Sequence, residues 1–224
     1  MHTGVTTLQH DLDLVSTVSE TWNLKLNPRK CVVMRLHRPK RPVESNRETM
    51  QYFLYGTPLA FVTSHRDLGI LVDSNLKYHS HIRTIVNKAM GISYSLLRST
   101  VCRSPDFMLT IFISHIRPLL EYCSPVWNLG YLTDLRMLES VQRRWTKQIQ
   151  GVDNLNYTER LRRLGLFSIK GRLNRADLIK IWKSFHPDVD VGLSMIFERA
   201  REMGTRGHLY KLSIPLSNTD IKRR

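Results

Sequence analysis

The spacing of apolar residues changes once along this 224-residue chain, within residues 73–79. Before that segment, residues 6–24 have helical spacing, and the apolar residues of 31–72 fall in short β-rich runs separated by turn signals. After it, the apolar residues recur only at helical spacing. Strands that come early, followed only by helices, predict an α+β fold. The expected architecture is an N-terminal helix with a small antiparallel β-sheet, followed by an all-α region.

The pattern also predicts where the individual elements lie. In the first part we expect a helix over 6–24, a strand at Cys31–Leu36, a solvated loop over 37–50, a hairpin of Tyr52–Tyr55 with Leu59–Val62, and a strand at Leu68–Val72. In the second part we expect helices over 80–99, from Ser104-Pro105 to about Pro118–Glu121, over 135–149, over 157–164 and over 173–182. Trp145 and Trp182 are expected in the core. The predicted domains are 1–75, 76–150 and 151–224, the last with a frayed C-terminus.

The charge is strongly basic and unevenly distributed. Lys and Arg number 34 and Asp and Glu 19, a net charge of +15. Residues 1–80 carry ten basic and seven acidic groups, so residues 81–224 carry 34 − 10 = 24 and 19 − 7 = 12, a net charge of +12. Nucleic acid is the commonest partner of such a field. An inert solvated surface, or an acidic membrane or protein, are the alternatives.

Targeting signals and metal sites are not evident in the sequence. No apolar run reaches the length of about 18–20 residues that spans a bilayer, and no secretory signal is present. Three distant cysteines fit a reducing compartment, which predicts an intracellular protein, nuclear or cytoplasmic, with no membrane partner. Asp11 and Asp13 point to different sides of a helix, and His79-Ser80-His81 favours a surface or capping role, so we expect no metal ligands and no catalytic residues.

Basic residues interleaved with aromatic ones carry the strongest chemical signal. Arg143, Arg144 and Lys147 surround Trp145, and Arg160, Arg162, Arg163, Arg172 and Arg175 follow within a short stretch that also contains Lys170 and Lys180. Helical cations in this arrangement can contact phosphates without sequence preference. A solvated basic face is the alternative interpretation of the same residues.

Several stretches together resemble the reverse transcriptases of non-LTR (LINE-like, jockey-type) retrotransposons. They are Leu8–Asp13, Trp22–Cys31, Arg66–Asp73, Arg117–Trp127, Leu138–Arg144, Tyr157–Leu161, Asp177–Lys183 and Thr205–His208. In that family the first of these stretches follows the catalytic loop. The order and spacing of the stretches carry the resemblance, which covers nearly the whole chain.

The resemblance implies a piece of an RNA-directed DNA polymerase. Residues 1–75 would be the end of the palm with a primer-grip-like hairpin, 76–150 a thumb-like helical domain, and 151–224 a basic helical connection. Lys30 would be an accessory lysine that assists pyrophosphate release. The implied partners are RNA or an RNA–DNA hybrid, together with the missing N-terminal part of the polymerase.

The catalytic motif of the family is absent, which bears on activity. The family has Ala-Asp-Asp shortly before the Leu-Gln-x-Asp-Leu-Asp segment, and this chain begins at Met1 without it. We therefore expect a fragment that is inactive alone and binds no Mg²⁺, the cofactor of the full-length family. It would retain non-specific binding of nucleic acid. The alternatives are a stand-alone basic RNA-binding or adaptor module and a decayed element without function.

Overall fold

The computed structural model describes residues 3–36 and 51–184. Its contacts divide the chain into an N-terminal unit, Met1–Tyr78, and a helical unit, His79–Arg224. The expectations for 37–50, and for the frayed C-terminus and Thr205–His208, lie outside the described residues. The described part mixes many helices with small two-stranded sheets, so the prediction of an α+β chain is confirmed at that level.

The N-terminal unit combines one long helix with very short strands. Its elements are α1 (Thr3–Thr21), a 3-10 turn (Pro28–Lys30), β1 (Val32–Met34), β2 (Phe53–Leu54), β3 (Thr57–Pro58), β4 (Ala60–Val62), β5 (Ser64–Asp67) and β6 (Ile70–Asp73). β2 with β3, and β5 with β6, form antiparallel hairpins. β1 and β4 pair in parallel, Val32 opposite Ala60 and Met34 opposite Val62. The prediction of a single small antiparallel sheet is therefore wrong.

The turns explain one shifted boundary. Leu68 and Gly69 both have positive φ, 45° and 88°, as a two-residue hairpin turn of type I′ requires. Such a turn matches the right-handed twist of the strands that flank it. The strand predicted at Leu68–Val72 consequently begins at Ile70, because its first two residues form the turn between β5 and β6.

The core of the N-terminal unit is small. Tyr52, Leu54 and Leu59 are buried together, and Leu12, Cys31 and Val33 pack against them half-buried. The Gln9 side chain ties α1 to β2, because its Nε2 donates to the Phe53 carbonyl (3.1 Å) and its Oε1 accepts from the Phe53 N–H (3.0 Å).

The helical unit is built from α2 (His79–Ser99), α3 (Pro105–Ile111), a π-helical segment (Phe112–Ile116), α4 (Arg117–Glu121), α5 (Ser124–Trp127), α6 (Leu132–Thr146), α7 (Tyr157–Arg163) and α8 (Ile169–Ser184). α3, the π segment and α4 follow one another directly, where one helix was predicted. Pro118 has no backbone N–H to donate, which interrupts the regular hydrogen bonding of a helix. The π segment lies immediately before α4, whose first turn contains Pro118.

One continuous core serves the whole described part of this unit. Its fully buried side chains include Met108, Phe112, Ile116, Leu120, Trp127, Leu138, Trp145, Ile149, Ile169 and Leu173. The indole N–H of Trp145 donates to the Met108 carbonyl (3.1 Å), which joins α6 to α3. α8 packs on α5 and α6, so residues 151–184 share this core with the helices before them.

Only one of the two tryptophans that were predicted in the core is buried. Trp145 is 1% exposed, so that prediction is confirmed, whereas Trp182 is 55% exposed, so the second is wrong. Trp182 follows the buried Leu173 by nine positions. At about 100° per residue, nine positions rotate a side chain to the opposite side of the helix.

Candidate nucleic-acid interface

Two cations of α6 and the lysine that directly follows it lie on one exposed face. Arg136, Arg143 and Lys147 are exposed and occupy positions i, i+7 and i+11. At about 100° per residue these positions lie within about 40° of one another around the helix, which makes a stripe about 16 Å long at 1.5 Å per residue. The opposite face of α6 is buried in the core. We call these three residues the basic stripe.

A groove lies beside the stripe where α6 meets the start of α8. Its volume is about 320 Å³, and its lining residues are Leu132, Leu135, Arg136, Glu139, Ser140, Arg143 and Lys170. We call it the α6–α8 groove. Arg136 and Arg143 belong to both the stripe and the groove, and Lys170 adds a third cation from α8.

The single carboxylate of the groove is engaged by the protein itself. Glu139 Oε1 accepts from the Tyr157 hydroxyl and from the N–H of Ile169 (3.3 Å), and Oε2 accepts from the N–H of Lys170 (3.3 Å). Glu139 thus caps the first turn of α8, where unpaired N–H groups and the helix dipole favour a negative charge. Its charge is compensated at the helix end rather than by the basic stripe.

Tyr157 holds the guanidinium of Arg143 in place. The Arg143 guanidinium carbon lies 4.5 Å from the centre of the Tyr157 ring, and that of Arg160 lies 5.6 Å from it. The hydroxyl donates to Glu139 and accepts from Gln142 Nε2 (3.1 Å). Burial and the bond to Glu139 raise the pKa of Tyr157, so the phenol stays protonated and continues to donate.

Gln142 connects this arrangement to the loop before α8. Its side chain is fully buried, and Nε2 also donates to the Phe167 carbonyl (3.0 Å). Because Gln142 contacts both Tyr157 and the 165–168 loop, it fixes α7 and the start of α8 relative to α6.

A second hollow lies near the other end of the stripe. It has a volume of about 600 Å³, and its lining residues are Val101, Cys102, Arg103, Ser104, Lys147, Gln148, Ile149, Gln150 and Asp153. The Arg103 guanidinium donates to the carbonyls of Leu97 (2.8 Å) and Thr100 (2.7 Å), so this cation caps the end of α2. The hydrogen bond with Ser104 lowers the pKa of the exposed Cys102 thiol.

Two of the predicted phosphate-binding arginines are held by other groups of the protein. Arg160 is 6% exposed, and its guanidinium donates to the Leu155 carbonyl (2.7 Å), the Thr146 hydroxyl (3.3 Å) and the Arg143 carbonyl (3.4 Å). Arg172 forms a two-pronged ion pair with Glu121, whose second contact is 2.9 Å. We leave both arginines out of the candidate interface.

The remaining predicted cations are exposed but do not form one cluster. Arg143 and Lys147 belong to the stripe, and Arg144 follows Arg143 about 100° further around α6. Exposed cations outside the stripe are Arg162 and Arg163 at the end of α7 and Arg175 on α8. Lys30 is exposed at the end of the 3-10 turn of the N-terminal unit.

Sequence reasoning missed Arg136, Glu139 and Tyr157 as members of this site. The spacing of Arg136, seven residues before Arg143, was the available signal for the first. No local pattern indicates the other two, because their contacts join α6 to α7 and α8.

Many residues that carry the family resemblance have structural roles. Asn156 and Glu159 form a capping box at the start of α7. Asp177 Oδ2 accepts from Asn128 Nδ2 (3.2 Å), which links α8 to the end of α5. These contacts, with those of Glu121, Gln142 and Arg160, hold the helical unit together.

The two histidines predicted at the surface also differ from each other. His79 Nδ1 lies 2.7 Å from the buried Asp134 carboxylate and stacks near the Tyr131 ring. His81 is buried with its ring edge-on to Trp127, so a surface role is wrong for it. Within 3–36 and 51–184, no three His, Cys, Asp or Glu side chains converge to hold a metal ion. None of the helices in those ranges has the length and hydropathy needed to cross a membrane.

Comparisons with known proteins give one distant relative. An uncharacterized protein of Caenorhabditis elegans is 24% identical over 123 residues, which are 54% of this chain and 60% of that protein. The chain therefore spans less than two thirds of the length of the relative it matches. No protein-family model and no solved structure matches. These comparisons assign neither a family nor an activity.

Proposed function

We propose that this chain is part of a non-LTR retrotransposon RNA-directed DNA polymerase and that it binds nucleic acid through the basic stripe of α6. The polymerase origin rests on the sequence stretches that resemble that family. The binding function rests on charge, and the observation that carries it is the stripe itself. Arg136, Arg143 and Lys147 share one exposed face, and the only carboxylate of the adjoining groove caps α8.

The local balance of charge supports an anionic partner. In the described part of the chain, no carboxylate lies within salt-bridge distance of the three stripe cations; the ion pairs found there are His79–Asp134 and Arg172–Glu121. Three solvated cations on one face can contact phosphates, and each phosphate contact releases condensed counterions. The resulting affinity is independent of sequence and sensitive to salt.

A charge-reversal experiment tests the binding function. We expect the double variant Arg143→Glu/Lys147→Glu to bind a short RNA–DNA hybrid at least about 10-fold more weakly than the parent chain at low salt. The matched control is Arg83→Glu/Lys88→Glu, which makes the same charge change at two exposed positions of α2. Fluorescence anisotropy gives both affinities, and thermal melting checks that both variants fold.

Salt dependence provides the second readout. The logarithm of the parent chain's affinity should fall linearly with the logarithm of salt concentration, with a slope of about −0.9 per neutralised phosphate on duplex DNA. The double stripe variant should have a shallower slope, and the α2 control should retain the parent slope. A slope near zero, or equal losses in both double variants, would contradict the proposal. Strong sequence preference would instead favour a stand-alone RNA-binding module.

The polymerase origin predicts inactivity of this chain alone. The Ala-Asp-Asp motif that holds catalytic Mg²⁺ in the family is absent from the sequence. Incubation with primer–template, Mg²⁺ and nucleotides should therefore give no template-dependent extension. Measurable extension would contradict that part of the proposal and would leave the binding measurement unaffected.

A further inference from the structure

We infer that the α6–α8 groove is a subsite for an unpaired base of single-stranded nucleic acid, with that base stacked on the guanidinium of Arg143. This inference rests on the proposed function and deepens it by naming the form of nucleic acid that the groove recognises. The stripe alone explains attraction of phosphates. The shape and lining of the groove explain why a base would enter beside them.

Arg143 is held in a geometry suited to stacking. Its guanidinium carbon lies over the Tyr157 ring, 4.5 Å from the ring centre, and the same residue lines the groove. Tyr157 is not among the residues that line the groove, so we assign its ring to the face of Arg143 that is turned away from the groove. On this assignment the other face lies toward the groove, where a planar guanidinium can stack on a base.

The support behind Arg143 is rigid. Glu139 and Gln142 hold the Tyr157 hydroxyl from two sides, and Gln142 is fully buried. A flexible arginine would lose side-chain entropy on stacking, whereas one that is already fixed loses little. The ring of Tyr157, the guanidinium of Arg143 and an incoming base would form a stack of three planar groups.

The rest of the groove suits one nucleotide. Leu132 and Leu135 give it an apolar lining, and Arg136 and Lys170 add cations that can contact a phosphate. Its volume of about 320 Å³ is at the small end of ligand pockets, which are typically about 300–1,000 Å³. An intact duplex presents phosphates but keeps its bases paired, so it would contact the stripe without using the apolar lining of the groove.

Conservative substitutions in the full chain separate stacking from charge. Arg143→Lys keeps the positive charge and removes the planar group, and Arg144→Lys makes the identical change at the next residue, which does not line the groove. The probes are an oligo(dT) of about 12 nucleotides, an oligonucleotide of the same length with abasic residues throughout, and a duplex of the same length.

Stacking predicts a specific pattern of affinities. Arg143→Lys should weaken oligo(dT) binding about 5- to 10-fold, a loss typical of one stacked base. It should weaken duplex binding by a smaller factor, because the positive charge that contacts phosphate is kept. Arg144→Lys should leave both within about 2-fold, the span of a small surface effect. The parent chain should prefer oligo(dT) over the abasic strand by a similar factor, and Arg143→Lys should remove that preference.

The outcomes distinguish this inference from the proposed function. Salt-dependent binding of all three probes, with equal effects of the two lysine variants, would overturn the base subsite and leave phosphate binding intact. The parent chain's equal affinity for abasic strand and oligo(dT) would overturn it without relying on any variant. Absence of binding to every probe would overturn both proposals. If poly-glutamate displaced oligo(dT) more effectively than competing nucleic acid did, the groove would be assigned to an acidic peptide. That result would overturn the subsite.

Discussion

The helical unit and the N-terminal unit bury their apolar side chains to very different degrees. In the helical unit, large side chains from α3 to α8 meet in one core, and several are fully buried. In the N-terminal unit, the buried cluster contains Tyr52, Leu54 and Leu59, while Leu14, Val15 and Val18 of α1 are about half exposed. Strands of two to four residues cannot supply enough inward-facing positions to cover a helix of 19 residues.

The same contrast appears in the polar contacts. The helical unit buries Gln142 and Arg160 and joins helices distant in sequence through them. The N-terminal unit has a side-chain to backbone link of the same kind between Gln9 and Phe53, at an exposed position. Buried hydrogen bonds are costly to break because water cannot replace the lost partner. We therefore expect the stability of the chain to depend far more on the helical unit.

Substitutions of two tryptophans are expected to give the largest difference in unfolding free energy between the units. Trp145→Ala should destabilise the helical unit by about 3–5 kcal/mol, because it removes a buried ring and its bond to Met108. Trp22 is 74% exposed, so Trp22→Ala should change the unfolding free energy by less than about 0.5 kcal/mol. Urea unfolding followed by circular dichroism measures both. Similar losses in the two variants would show that Trp22 is covered by other groups in solution.

The backbone contacts of Glu139 in the helical unit and of Gln9 in the N-terminal unit give a smaller difference in unfolding free energy. Glu139→Ala should cost about 1–3 kcal/mol, because it removes the partner of the Tyr157 hydroxyl and of two N–H groups of α8. Gln9→Ala should cost about 0.5–1.5 kcal/mol, since water can reach the Phe53 backbone groups that it leaves. A loss on Gln9→Ala greater than on Glu139→Ala, in the same urea titration, would reverse the ranking of the two units.

Substitution of Asp177 is expected to give the smallest change in stability, and that change depends on pH. Burial raises the pKa of its carboxyl group, and Oδ1 has no hydrogen-bond partner in the described part of the chain. A folded pKa above the unfolded value favours the folded state at acid pH, and that stabilisation is lost as pH rises through the folded pKa. At neutral pH the ionised group is therefore a cost.

We accordingly expect Asp177→Asn to raise the melting temperature slightly at pH 7, by a change within about 0.5 kcal/mol, and to have no stabilising effect near pH 3. The control is Asp11→Asn, at an exposed position of α1, which should leave the melting temperature unchanged at neutral pH. Melting curves over a pH series measure the difference. Destabilisation by Asp177→Asn at pH 7 would show that the charge of Asp177 is paired in solution.

Local patterns predicted the elements better than their assembly. The helix start at Ser104-Pro105 and the hairpin turn at Gly56 follow from residues next to one another, and both are present. The second strand of that hairpin is Thr57–Pro58 rather than the predicted Leu59–Val62. The parallel pairing of β1 with β4 was missed, because no neighbouring residue indicates which distant strand will be the partner. Trp182 was assigned to the core as the last apolar residue of the predicted helix over 173–182, although its position on α8 turns it away from Leu173.

The candidate site shows the same division. The sequence by itself determined an α+β chain, the places of most helices and an excess of cations in the second part, because helical periodicity, turn residues and charge are properties of short segments. Only the tertiary structure decided which cations face solvent. Arg172 meets Glu121 across 51 positions of sequence, and Glu139 reaches the backbone of α8 across about 30. Such pairings depend on how whole helices pack, so Arg160 is buried and Arg172 is held in an ion pair, while Arg136 lies on the exposed stripe.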